Sequence, residues 1–185
     1  MAKKTGGVRN YARYTKTYKK RRAEYYRLLA TGEYEPSRSH FYKSGGFVVT
    51  HKRHKEMQRD ERGRLVDKSD IAARNLARKG FRVYLDSEES NKVGVATPDG
   101  RIERMPMEIK TINKAGRYSM KRGMEKATTQ GVNAVIFMQG TKAMTREYVE
   151  GQLNLFKAKS PRQAREKLEY VYIVGMNGNV HKHEL

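Results

Sequence analysis

The chain has 185 residues, 37% of them hydrophobic and none of them cysteine, which suits one ordinary domain with an extension and excludes disulfides, thiolate zinc sites and a cysteine nucleophile. Lysine and arginine total 40 against 20 acidic residues, a formal charge of +20, so the chain repels itself unless a polyanion gathers round it, and nucleic acid is the natural partner. No apolar run approaches the roughly 20 residues that span a bilayer, so membrane insertion is not supported.

The Met1-Ala2-Lys3-Lys4 start is not followed by an apolar stretch, so the plan of a secretory signal is missing and a cytoplasmic location is expected, or a virion if the chain is phage-encoded. Residues 1–34 are dominated by lysine, arginine and tyrosine and read as a basic arm, helical over Asn10–Leu29. Lys19, Lys20, Arg21 and Arg22 are its candidate phosphate contacts. Tyr11, Tyr14, Tyr18 and Tyr25 recur at helical spacing and form one stripe. Such rings either stack on bases between phosphate-binding lysines or pack the helix onto the rest of the protein; the pattern leaves both open. Residues 35–46, rich in Pro, Ser and Gly, read as a linker, and 47–185 as the main domain.

Within that domain Phe47-Val48-Val49-Thr50 reads as a short strand, and the charged run His51–Lys68 as a solvated helix or loop. Ser69 offers an N-cap for a helix over Asp70–Lys79 that buries Ile71, Ala72 and Leu76 and stops at Gly80. Phe81–Leu85 alternates as a half-buried strand should, and Lys92–Thr97 and Met105–Ile112 continue the strand pattern. A helix over Arg117–Gln130 and an apolar strand over Val132–Met138 imply a crossover. Helices over Thr145–Phe156 and Pro161–Leu168 follow, then strand Tyr170–Val174 and, after an Asn177-Gly178 turn, strand Asn179–His183. The predicted fold is α/β with a mixed central sheet and flanking helices, plus the basic arm. The closing Lys182-His183-Glu184-Leu185 is read as a chance likeness to a retention tetrapeptide.

One segment carries chemistry. Pro98-Asp99 is followed nine positions later by Glu108-Ile109-Lys110. This resembles the signature of the PD-(D/E)xK nuclease superfamily, and within it the small nuclease domains of phage, plasmid and polymorphic-toxin proteins, including tRNA-cleaving contact-dependent inhibition toxins. The likeness covers roughly Phe47 to Met138. It implies a restriction-endonuclease-like fold, a catalytic set of Asp99, Glu108 and Lys110, and Mg²⁺ or Mn²⁺ held by Asp99 and Glu108. It further implies an acid on the preceding helix, where Asp70 stands with Asp67 as the alternative, and a polar residue near the end of the next helix, where Gln130 stands.

The residues agree chemically. Glu108 and Lys110 are two apart on a strand and so leave the same face. A two-residue turn at Glu103-Arg104 would pair Asp99 with Glu108, whereas a turn at Asp99-Gly100, itself a strong hairpin dipeptide, would put Asp99 at a loop tip. Adjacent carboxylates repel, and a hard cation relieves that repulsion while polarising a phosphoryl oxygen. Lys114, Arg117, Lys121 and Arg122 add a basic helix after the motif as further phosphate contacts. The rival reading is a non-catalytic nucleic-acid-binding protein of a phage or mobile element, which needs only the charge.

Overall fold

The computed structural model describes residues 15–54, 58–59, 65–87 and 97–185. They fall into two compact units, the first ending at Arg104 and the second running from Met105 to Leu185. Each is α/β with a mixed sheet, as the sequence predicts.

The first unit runs through helix α1 (Lys16–Ala30), a 3-10 turn (Pro36–Arg38), strands β1 (His40–Phe41), β2 (Phe47–Thr50), β3 (Gln58–Arg59) and β4 (Leu65–Val66), helix α2 (Lys68–Arg78), and strands β5 (Arg82–Leu85) and β6 (Gly100–Ile102). β2 lies between antiparallel β1 and parallel β5, and β5 pairs antiparallel with β6. β2 is buried at all four positions because α1 and α2 both pack against it. Tyr18 and Tyr25, seven apart on α1, are buried; Tyr18 meets Phe41 and Tyr25 meets Phe41 and Phe47. The packing reading of the stripe therefore holds for these two rings, while Tyr11 and Tyr14 lie outside the described residues. By this contact the helix expected to stand apart as an arm is built into the first unit. The expected linker likewise carries β1 and the buried Ser39 and Ser44.

Helix α2 is capped by Asp67, whose carboxylate accepts the Asp70 N–H at 2.9 Å, and not by Ser69, which is buried inside the first turn. Its end is the one expected. Gly80 has φ +92° and donates to Ala77 O while Phe81 donates to Leu76 O, which closes the helix as a Schellman motif. The expected half-buried alternation in β5 is absent: Val83, Tyr84 and Leu85 are all buried, since α2 covers the strand and Tyr84 joins the Tyr25–Phe47 cluster. In the charged run, β3 and β4 pair antiparallel where a helix or loop was expected. Residues 92–96 of the expected Lys92–Thr97 strand lie outside the described residues.

The second unit comprises β7 (Met105–Ile112), α3 (Ser119–Thr129), β8 (Ala134–Gln139), α4 (Arg146–Lys159), α5 (Arg162–Lys167), β9 (Tyr170–Val174) and β10 (Val180–Glu184). β7, β8 and β9 are parallel neighbours and β10 returns antiparallel to β9. Parallel strands cannot be joined by tight turns, so α3 serves as the β7–β8 crossover. Ile112, Met120, Met124, Phe137 and Phe156 anchor one continuous core cluster beneath α3 and α4. No helix among the described residues is long and apolar enough to cross a membrane.

Candidate active site

Alternation along β7 puts Glu108, Lys110 and Ile112 on one face, and Ile112 belongs to the core cluster with Met120 and Met124 of α3. Glu108 and Lys110 thus sit on the side of the sheet that α3 covers. The helix makes room for them at Gly123, where an added Cβ would lie 3.0 Å from Phe137 Cε1 and 3.4 Å from Lys110 Cδ. Lys110 Nζ donates to Glu108 Oε1 at 2.7 Å, and the side chains are 21% and 10% exposed. Glu108 Oε2 is buried and has no hydrogen-bond partner.

Two other candidates share that condition. Gln130 is the C-cap of α3, its backbone N–H turned to Ala127 O and Thr128 O, and its side-chain Oε1 is buried without a hydrogen-bond partner. In the first unit Asp70 receives Arg74 Nε at 2.5 Å on Oδ2, while Oδ1 is buried without one. Asp99 is half-buried in the bend before β6, and its carbonyl accepts the Asp86 N–H at 3.3 Å. Gly100 is already inside β6, and the two consecutive residues in the left-handed region are Glu103 (φ 48°) and Arg104 (φ 76°), the backbone of a type I′ turn. The alternative turn at Asp99-Gly100 is therefore not formed. Among the described residues no three His, Asp or Glu side chains gather into a ready metal cluster.

The expected phosphate contacts divide. Lys19, Lys20, Arg22, Lys114, Arg117 and Arg122 are exposed, Arg117 and Arg122 lying over the Tyr118 ring at 5.2 and 5.8 Å. Lys121 is half-buried and bound to Glu125 at 2.6 Å. Arg21 is a correction: it is only 6% exposed, donates to the Gly80 carbonyl and pairs with Glu103 at 3.1 Å, so it serves the fold.

That pair opens a network the sequence reading missed. Glu103 accepts from Arg21 and Arg82, and Glu24 from Arg82, Arg104 and the Tyr84 hydroxyl. Burial raises the Glu24 carboxyl, but the bonds from Tyr84 and Arg82 outweigh it and hold the group below its ordinary value. Burial and the bond to Glu24 both push the Tyr84 phenol up. Apart from Arg82 and Glu103, which are 21 positions apart, the acids and their partners are separated by 58 to 82 positions, so no local pattern could announce them. Gln152 of α4 was missed for the same reason: it donates to Arg117 O at 2.7 Å and accepts the Lys121 N–H at 3.1 Å, fixing the start of α3.

No family model matches the chain and no curated protein does. Among solved structures, the CdiA-CT/CdiI toxin and immunity complex from Burkholderia pseudomallei is similar over 64% of this chain and 83% of its own, at 16% identity and a TM-score of 0.47. A likeness that distant says nothing about activity, and the chemistry here rests on the residues themselves.

Proposed function

We propose that this chain is a metal-dependent nuclease that hydrolyses phosphodiester bonds in DNA or RNA, tRNA included, with Glu108 and Lys110 at its centre. The observation that carries the reading is the half-occupied Glu108 carboxylate, clamped at Oε1 by Lys110 and left open at a buried Oε2. A buried acceptor without a partner costs about 1–3 kcal/mol, more when charged, and a cation arriving with its substrate removes that cost. Mg²⁺ and Mn²⁺ suit the donors: one or two carboxylates suffice when water and substrate phosphate complete the shell, so a three-acid cluster is not needed. Glu108, together with the Asp99 that the motif couples to it, would hold the ion, whose chemistry is to polarise a phosphoryl oxygen and acidify water.

The other roles belong to the chain itself. Lys110, its stem packed under Gly123 and its ammonium fixed by Glu108, is pre-oriented toward negative charge that develops on the phosphoryl group. Gln130 and Asp70 would each offer an open oxygen to water or substrate. The +20 charge draws in the polyanion.

The test is single-turnover cleavage of labelled tRNA, single-stranded DNA and duplex DNA with Mg²⁺, Mn²⁺ or chelator. Cleavage should require the metal and fall by about 10²-fold or more in Asp99→Asn and Glu108→Gln. Lys110→Met should lose turnover while retaining metal binding by calorimetry, since it deletes the cation and keeps the stem. Folded Asp99→Asn protein that cleaves as fast as the unaltered chain would remove Asp99 from the site. Tight binding without cleavage by any form would favour the rival binding protein.

A further inference from the structure

The first unit contains a cavity of about 510 Å³ along one face of α1, closed at its base by Arg21, Glu24 and Arg82 and flanked by Lys20, Arg27 and Arg104. Arg21 and Arg82 are held by Glu103 and Glu24 and are spoken for. Lys20 and Arg27 are exposed and have no acidic partner among the described residues. Arg104 touches Glu24 with one nitrogen at 3.3 Å, but its side chain is 66% exposed, and a pair that exposed contributes little. Five cations thus face two carboxylates, and three positive charges stay uncompensated round one concavity. Like charges so gathered repel unless an anion joins them.

The spacing says what kind of anion. Lys20 and Arg27 are seven residues apart on α1, so they share one face and stand about 10 Å apart along the helix axis. Phosphates of one stacked strand advance about 3.4 Å each along the axis, so the row spans about three of them. A lone phosphate would engage one end only. Glu24 and Glu103 keep Arg21 and Arg82 stiff beneath the row, so the groove is formed before any ligand arrives.

We propose that this groove is a docking site for a sugar–phosphate strand, with Lys20, Arg27 and Arg104 as its phosphate contacts. It deepens the nuclease reading by giving the substrate a second hold in the first unit, through residues that take no part in the Glu108–Lys110 chemistry. Among the four cations 19–22 that the sequence offered, only Lys20 lines the groove as a free charge.

Binding is measured by fluorescence anisotropy with 12-nucleotide DNA and RNA strands in chelator across a salt series, so that no cleavage intervenes. The variant Lys20→Ala/Arg27→Ala/Arg104→Asn keeps a residue that tolerates positive φ at 104. It should bind about tenfold or more weakly at low salt, and its slope of log affinity against log salt should fall by about 2, since each single-strand phosphate contact contributes about 0.7. A control that removes the same charge from exposed lysines of the second unit, Lys126, Lys157 and Lys159 to alanine, should change the slope by less than half as much. Equal losses in both variants, or none in the first, would overturn the groove. Polyglutamate that competes as well as an oligonucleotide would also overturn it in favour of an acidic protein partner. DNA and RNA arms that differ identify the strand. The outcome is separable from the nuclease reading, because binding is read in chelator, where no metal-held phosphate contributes, and Glu108→Gln that cleaves normally would sink the active site while leaving the groove standing.

Discussion

Asp70 aside, whose Oδ1 is also open, the two units treat their shielded carboxylates in opposite ways. In the first, Glu24 and Glu103 have both oxygens occupied, by Arg21, Arg82, Arg104 and Tyr84. In the second, an apolar cluster does the holding and Glu108 has one oxygen occupied and one open. A closed network spends its charge on internal geometry, and here that geometry is costly: Glu103 and Arg104 both sit in the left-handed region, which strains non-glycine residues by about 1 kcal/mol or more each. The Arg82 N–H and guanidinium grip the Glu103 carboxylate and over-determine that turn. An open carboxylate stabilises nothing of the kind; in the proposed nuclease it is the place left for a cation.

The largest effect that sharpens this contrast is on stability. Glu103→Gln leaves buried Arg21 without its counter-charge and Arg82 with Glu24 alone, and should cost about 3 kcal/mol in urea unfolding. Glu108→Gln keeps an acceptor for Lys110 and removes a charge that was only half satisfied, so it should cost about 1 kcal/mol or less. Equal costs would erase the distinction between the two carboxylates.

Acid should separate the histidine-bearing strands from the Glu24 network next. Glu24 is held below its ordinary value in the folded chain, so its contribution is present above the unfolded value of 4.5 and is lost as pH falls through the folded one. His183 of β10 is lowered chiefly by burial, so its contribution is full above the unfolded value of 6.5 and is lost as pH falls below it. His40 of β1, also lowered by burial, follows the same sign. Amide exchange should therefore show β9, β10 and β1 losing protection from about pH 6.5 downward, while the α1 and β5 amides hold until below about 4.5. Simultaneous loss in both places would break the comparison.

The smallest effect concerns Gly123. Alanine gains about 1 kcal/mol of helix propensity but sets a Cβ 3.0 Å from Phe137 and 3.4 Å from Lys110 Cδ. The two should nearly cancel in a thermal melt, while cleavage slows several-fold because the Lys110 stem must shift. A variant with unchanged rate would show that Lys110 tolerates displacement.

What the sequence by itself determined was whatever repeats at short range. The strands Phe47–Thr50, Met105–Ile112 and Tyr170–Val174 end where their apolar runs end, and Gly80 stops α2 because its left-handed backbone is local chemistry. Spacing alone put Glu108 and Lys110 on one face, since a strand's side chains alternate. Only the tertiary structure decided which charges are free. Arg21 and Arg22 are neighbours in the same basic run, yet one turns inward to Glu103, 82 positions away, and the other stays in solvent. Asp67 rather than Ser69 caps α2 for the related reason that Ser69 is drawn into the interior. A side chain's periodicity is fixed by its neighbours in sequence, but its solvation and its counter-ion are fixed by whatever the fold brings against it.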